Sequence, residues 1–147
     1  MGIIEKSLEI ALKAYSGQKD KAGKTYILHP LRIMAKMDTE YEMAVALLHD
    51  VIEDSDYTSQ DLLKEGIPPD VVDAVQLLSK MDGESYDQFI DRVIVNPLAS
   101  KVKVADIEDN INVLRLEVVE EKDLERVAKY HAAWKKLNSA KLTRPSN

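Results

Sequence analysis

Apolar residues recur along almost the whole chain at steps of three and four, and alternating apolar-polar runs are scarce. That periodicity belongs to helices packing one face inward, not to half-buried strands. Ile4, Leu8, Ala11, Leu12 and Tyr15 form one such stripe, so residues 3–16 are expected as an amphipathic helix stopped by Gly17. "GQKDKAGKTYILHP" (17–30) reads as a loop of glycine and charge, and Pro30 fits the first turn of a short helix over 30–37. "EYEMAVALLHDVIED" (40–54) is almost wholly apolar in its middle and is expected as a buried central helix. Thr58 reads as an N-cap, with Asp61 at the capping-box position and Gly66 as terminator. Further helices are expected over 68–80, through "YDQFIDRVIV" after a "MDGES" break, over 96–116 and over 120–138. The sum is one all-α domain spanning residues 1–147, with seven or eight helices and a frayed tail over 139–147.

Bulk properties narrow the function. A chain of 147 residues suits one domain with a real core. A net charge of −6 supplies no basic field, which argues against a general nucleic-acid partner. A small anionic substrate is still compatible, because a metal or a few local cations can reverse the field within one cleft. The absence of cysteine removes disulfides, thiolate metal sites and cysteine nucleophiles. "MGIIEKSLEI" lacks the apolar core of a signal peptide, and "MAVALLHDVI" is too short to span a bilayer. The expectation is a cytoplasmic protein with no membrane partner; the sequence fixes no oligomeric state.

One stretch resists a purely structural account. In "ALLHDVIEDSD" (46–56), His49 is followed by Asp50, Glu53, Asp54 and Asp56. Like charges one helical turn apart repel, and a bound cation is the first candidate to offset that repulsion. His29 stands at a loop-to-helix junction, and "KVKVADIEDN" places Asp106 after an apolar step, with Asp109 and Asn110 in the next turn. Imidazole and carboxylate donors together suit a borderline or hard divalent ion such as Mn, Fe or Zn. Glu53 lies four residues after His49 and Asp54 four after Asp50, so both fall one turn on, where they could orient or deprotonate a metal-bound water. Asn110, four after Asp106, would add a neutral donor. Tyr26 and Tyr86 are candidate pocket residues, and Lys103 and Arg115 candidate phosphate contacts. His131 reads as a surface or packing residue, and Trp134 with Leu137 as core or a subunit contact. An Asp- and Glu-rich helix end can equally be a plain solvated face. Composition and spacing alone therefore reach no further than a helical domain with a candidate metal site.

"HP" at 29–30, "HDVIED" at 49–54 and "KVADIEDN" at 103–110, in that order, resemble the HD-domain metal-dependent phosphohydrolases. Within them the chain is most similar to the hydrolase domain of the bifunctional alarmone synthetase–hydrolases and its small stand-alone relatives. In that branch a Gly-Gln, a basic residue, a glycine and Tyr-Ile precede the His-Pro, and "GQKDKAGKTYILHP" repeats the order. The resemblance covers roughly residues 10–116 and implies an HD-type helical bundle. It further implies that His29, His49, Asp50 and Asp106 hold one divalent ion, usually Mn2+, and that Glu53 and Asp54 assist attack by water. Asn110 would line the nucleotide pocket and Lys21 would stand near the substrate; the reading of the residues themselves adds Tyr26 and Lys103 as candidate substrate contacts. The implied reaction removes the 3′-pyrophosphate of guanosine tetra- or pentaphosphate, (p)ppGpp. The sequence departs from the branch at Asp20, where an arginine usually stacks on the base, at Thr25 for a proline, and at Val113 for a hydroxyl residue. Two alternatives follow: an HD-type hydrolase for another nucleotide (a nucleoside monophosphate or a phosphorylated dinucleotide), or a non-catalytic metal- or nucleotide-binding regulatory module.

Overall fold

A computed structural model describes residues 1–143 of the chain. Among them are nine α-helices and one 3-10 turn, with no strand beyond an isolated bridge between Lys19 and Thr25. The helices are α1 (Ile3–Ala14), α2 (Leu28–Ala35), α3 (Glu40–Leu48), α4 (Val51–Asp54), α5 (Ser59–Lys64), α6 (Pro69–Leu77), α7 (Tyr86–Ile94), α8 (Pro97–Asn110) and α9 (Glu121–Thr143). The 3-10 turn Val113–Arg115 follows α8. No described helix is long and apolar enough to cross a membrane.

Local chemistry sets the starts. Thr39, Thr58 and Ser85 each accept an amide three residues on, from Glu42, Asp61 and Gln88, whose side chains return the bond. Asn96 caps α8 ahead of Pro97, whose missing N–H costs nothing in a first turn. The expected seven or eight helices become nine because the predicted 40–54 helix is broken at His49–Asp50 into α3 and α4. The predicted 96–116 helix ends at Asn110, and α9 continues to Thr143, through the first five residues of the stretch expected to fray. Residues 144–147 of that stretch lie outside the described residues.

Two helices organise the core. Ala44 to Leu48 of α3 are all buried, so this helix is apolar around its circumference and packs against α1, α2, α6 and α8. Likewise α8 meets α2, α3, α6, α7 and α9. Its apolar residues Ala99, Val102, Ala105 and Ile107 are buried, and so are Asp106 and Asp109. Burying two carboxylates on a central helix demands partners for them.

Candidate metal centre

Three segments converge at the C-terminal end of α3: the start of α2 with His29, the α3–α4 break with His49 and Asp50, and the last turns of α8 with Asp106, Asp109 and Asn110. His29, His49 and Asp50 each offer a ligand atom within 4.8 Å of the others. Asp106 joins them, its Oδ1 lying 2.9 Å from His29 Nε2 and 3.5 Å from His49 Nε2. The four residues expected as ligands are therefore brought to one point.

Each ring is oriented from behind. His49 Nδ1 lies 2.7 Å from the carbonyl of Ala46, which can only accept, so Nδ1 carries the proton. His49 Nε2 is buried and makes no hydrogen bond, although Asp50 Oδ2 is 3.2 Å away. A buried, unpaired imidazole nitrogen facing two carboxylates, with its tautomer fixed from the far side, fits a divalent cation. On the other ring, His29 Nδ1 meets Asp109 Oδ2 at 2.5 Å. Asp109 is in turn gripped by Arg32, through Nε at 2.8 Å and Nη2 at 2.9 Å, and by Arg115 Nη1 at 3.0 Å.

The charge states follow from these contacts. Burial would pull both imidazoles down, but the carboxylates outweigh it and raise His29 and His49 above the ordinary range. Burial would raise Asp106, yet Lys103 and the two histidines hold it well below the usual carboxylate range. Asp109 is likewise held low by His29, Arg32 and Arg115 against the effect of burial. The carboxylates thus favour the protonated imidazoles, a balance of charge that a bound cation would take over.

In front of this cluster opens a cleft of about 540 Å³, lined by His29, Asp50, Glu53, Asp54, Lys21, Tyr26 and Asn110 among others. Tyr26 donates to Asp50 Oδ2, and Asn110 Nδ2 donates to Asp106 Oδ1 at 2.9 Å, so both expected substrate contacts also brace a candidate ligand. Burial, with help from Asp50 and Asp54, raises the Glu53 carboxyl. Burial and Asp50 push Asp54 up to about 6. Lys103 is the exception: it is not among the cleft residues. Its Nζ is bound to Asp106 Oδ2 at 2.9 Å and sits 5.2 Å from the Phe89 ring centre, behind the carboxylate. Tyr86 also does not line the cleft, His131 is exposed, and Leu137 is fully buried.

Several cleft residues carried no sequence expectation. Arg32, three residues after His29, follows a same-face spacing that could have flagged it. Arg126 and Tyr130 reach the cleft from α9. Partial burial and the nearby Arg126 and Lys129 lower the Lys21 ammonium, so the cleft carries grouped cations as well as carboxylates. Asp20 lines the cleft, with one carboxylate oxygen committed to the local backbone. Its Oδ1 accepts the amides of Ala22 and Lys24, both at 2.9 Å, in a turn that Gly23 completes at φ +79°.

No family model matches the chain. Among curated proteins it is 30% identical over 123 residues to the guanosine-3′,5′-bis(diphosphate) 3′-pyrophosphohydrolase of Aquifex aeolicus, covering 76% of this chain and 18% of that one. It is 32% identical over 120 residues to the bifunctional (p)ppGpp synthase/hydrolase SpoT of Escherichia coli, covering 71% of this chain and 17% of that protein. The chain thus spans less than a fifth of these relatives. A solved structure described as a metazoan ortholog of SpoT that hydrolyzes ppGpp matches with a TM-score of 0.74. That match covers 95% of this chain and 85% of the other at 24% identity, and it shows a shared fold.

Proposed function

Starting from the chain's place among the HD-domain alarmone hydrolases, as a homologue of (p)ppGpp 3′-pyrophosphohydrolases, we propose that it removes the 3′-pyrophosphate of guanosine tetra- or pentaphosphate in the cytoplasm. The observation that carries this reading is the convergence of His29, His49, Asp50 and Asp106, of which His29 and Asp50 line a cleft that also holds Glu53 and Asp54. A divalent ion at those four residues, Mn2+ in this proposal, would polarise water and absorb charge developing on the phosphoryl oxygens. Glu53 and Asp54, one turn beyond the ligands, orient the attacking water and take its proton. Asp54, pushed up to about 6, is still mostly ionised at neutral pH and is basic enough to accept one. Lys21, Arg126 and Asn110 face the cleft and bind the anionic nucleotide, while Lys103 holds Asp106 in its ionised form.

A second substrate class is favoured by one feature. Asp20 supplies a carboxylate closed into its own turn where a planar guanidinium would stack on guanine. A hydrolase of the same mechanism acting on a different nucleotide is therefore the alternative. Glu53 and Asp54 count against a purely binding module, since ligand capture alone needs neither. The deciding experiment is turnover of guanosine tetraphosphate by metal-stripped protein with and without added Mn2+, followed as pyrophosphate release. Mn2+-dependent release is expected. No release from Mn2+-loaded protein would overturn the guanosine tetraphosphate assignment in favour of another nucleotide.

A further inference from the structure

We propose that the Tyr15 hydroxyl is the positioning group that holds the α3–α4 break open, so that His49 and Asp50 address one point. The inference rests on the reading of those two residues as ligands of a common cation. Consecutive residues on a regular helix point in directions about 100° apart and do not face each other. Here they do: Asp50 Oδ2 lies 3.2 Å from His49 Nε2. The turn happens at Asp50, whose φ of −107° and ψ of 5° leave the helical values that His49 still keeps at −56° and −30°.

Three hydrogen bonds account for it. In an unbroken helix the carbonyl of Ala46 would accept the amide of Asp50, and that of Leu47 would accept the amide of Val51. Instead the His49 ring places Nδ1–H on Ala46 O at 2.7 Å. The amide of Asp50 donates to Tyr15 Oη at 3.1 Å, and the Tyr15 hydroxyl donates to Leu47 O at 3.2 Å. One phenol from α1 thus accepts from the displaced Asp50 amide and donates to the Leu47 carbonyl, a side chain inserted into the helical ladder. Tyr15 is 2% exposed, so water has little access to replace it. Without the hydroxyl, the cheapest repair is for the Asp50 amide to return to Ala46 O, which restores helical backbone at Asp50, makes the amide compete with the His49 Nδ1–H, and loosens the ring from the orientation it needs.

The test compares wild type with Tyr15→Phe by manganese titration and by 15N NMR of the His49 imidazole. Wild type should show a slowly exchanging Nδ1–H and a slowly exchanging Asp50 amide. The variant should keep its helical circular dichroism, lose the protected Nδ1–H, and bind Mn2+ about tenfold to a hundredfold more weakly. Wild-type Mn2+ affinity in Tyr15→Phe would overturn the proposal. So would a rapidly exchanging Asp50 amide in the wild type, a measurement that stands even if the variant does not fold. Failure of wild type to bind Mn2+ would instead overturn the metal reading, and the imidazole and amide signals would then decide the role of Tyr15 alone.

Discussion

Replacing Asp109 by asparagine isolates the support of one candidate ligand without touching the ligands themselves. The carboxylate is 6% exposed and takes His29 Nδ1 at 2.5 Å and two-pronged contacts from both Arg32 and Arg115. An amide of the same shape keeps one acceptor oxygen and offers an NH2 where a second acceptor stood. If the oxygen stays with the guanidinium groups, the NH2 faces His29 and forces the proton from Nδ1 to Nε2, the atom that must present a lone pair to the cation. Loss of such a supporting contact should weaken Mn2+ binding about tenfold to a hundredfold, or about 1.4–2.8 kcal/mol. The fold should suffer less than in a fully buried pair. The side chains of Arg32 and Arg115 are 35% and 31% exposed, so water can take over part of their solvation. A loss of about 1–3 kcal/mol in denaturant unfolding is expected. Calorimetric titration with MnCl2 beside a guanidinium melt separates the two effects. Unchanged Mn2+ affinity in a folded Asp109→Asn protein would refute the view that this carboxylate sets the His29 tautomer.

Glu53→Gln should lower turnover at least about 100-fold, the scale of a positioned general base, with Mn2+ affinity nearly unchanged; full turnover would remove Glu53 from the water-activating role. Because burial and Asp50 raise Asp54 to about 6, and the ionised form is the active one, the rate should fall as pH drops through an apparent midpoint at or below that value. A bound cation pulls the midpoint down, and Asp54→Asn should abolish that limb of the pH–rate profile. His29 and His49 hold protons to higher pH than free imidazoles, so Mn2+ must displace them. Its affinity should therefore weaken on acidification, and titrations in buffers of different ionisation enthalpy should report proton release.

The helical class and a candidate metal site were legible in the residues for separate reasons, while the full set of His29, His49, Asp50 and Asp106 came from the resemblance of three ordered motifs. Helical stripes such as Ile4–Leu8–Ala11–Tyr15 are local signals, and His49-Asp50 with Glu53 and Asp54 sit within two turns of one another. The break inside 40–54 was hidden because the apolar run passes straight through it, and the group that stabilises it comes from α1. Tyr15 read as one more member of an apolar stripe, and nothing within its neighbourhood shows that its hydroxyl meets Leu47 and Asp50. Arg126 and Tyr130 were missed for the same reason, since the packing of α9 against the rest decides which of its turns reaches the cleft. Lys103 was misplaced because spacing fixes a helical face but not how far a long side chain extends. Asp20 lines the cleft, but residue type alone does not disclose that its Oδ1 also holds the backbone amides two and four residues away.

The loop between α1 and α2 is self-supporting. The Lys19–Thr25 bridge and the two amides on Asp20 close residues 19–25 upon themselves. At its borders Gln18 touches the carbonyl of Asp54 and Tyr26 touches Asp50. The loop therefore behaves as a cassette hung on two pegs, and its tip can be rewritten without disturbing the helices that carry the ligands. Under the proposed reading, exchange of this seven-residue tip is expected to change what the cleft admits while His29, His49, Asp50 and Asp106 stay in place.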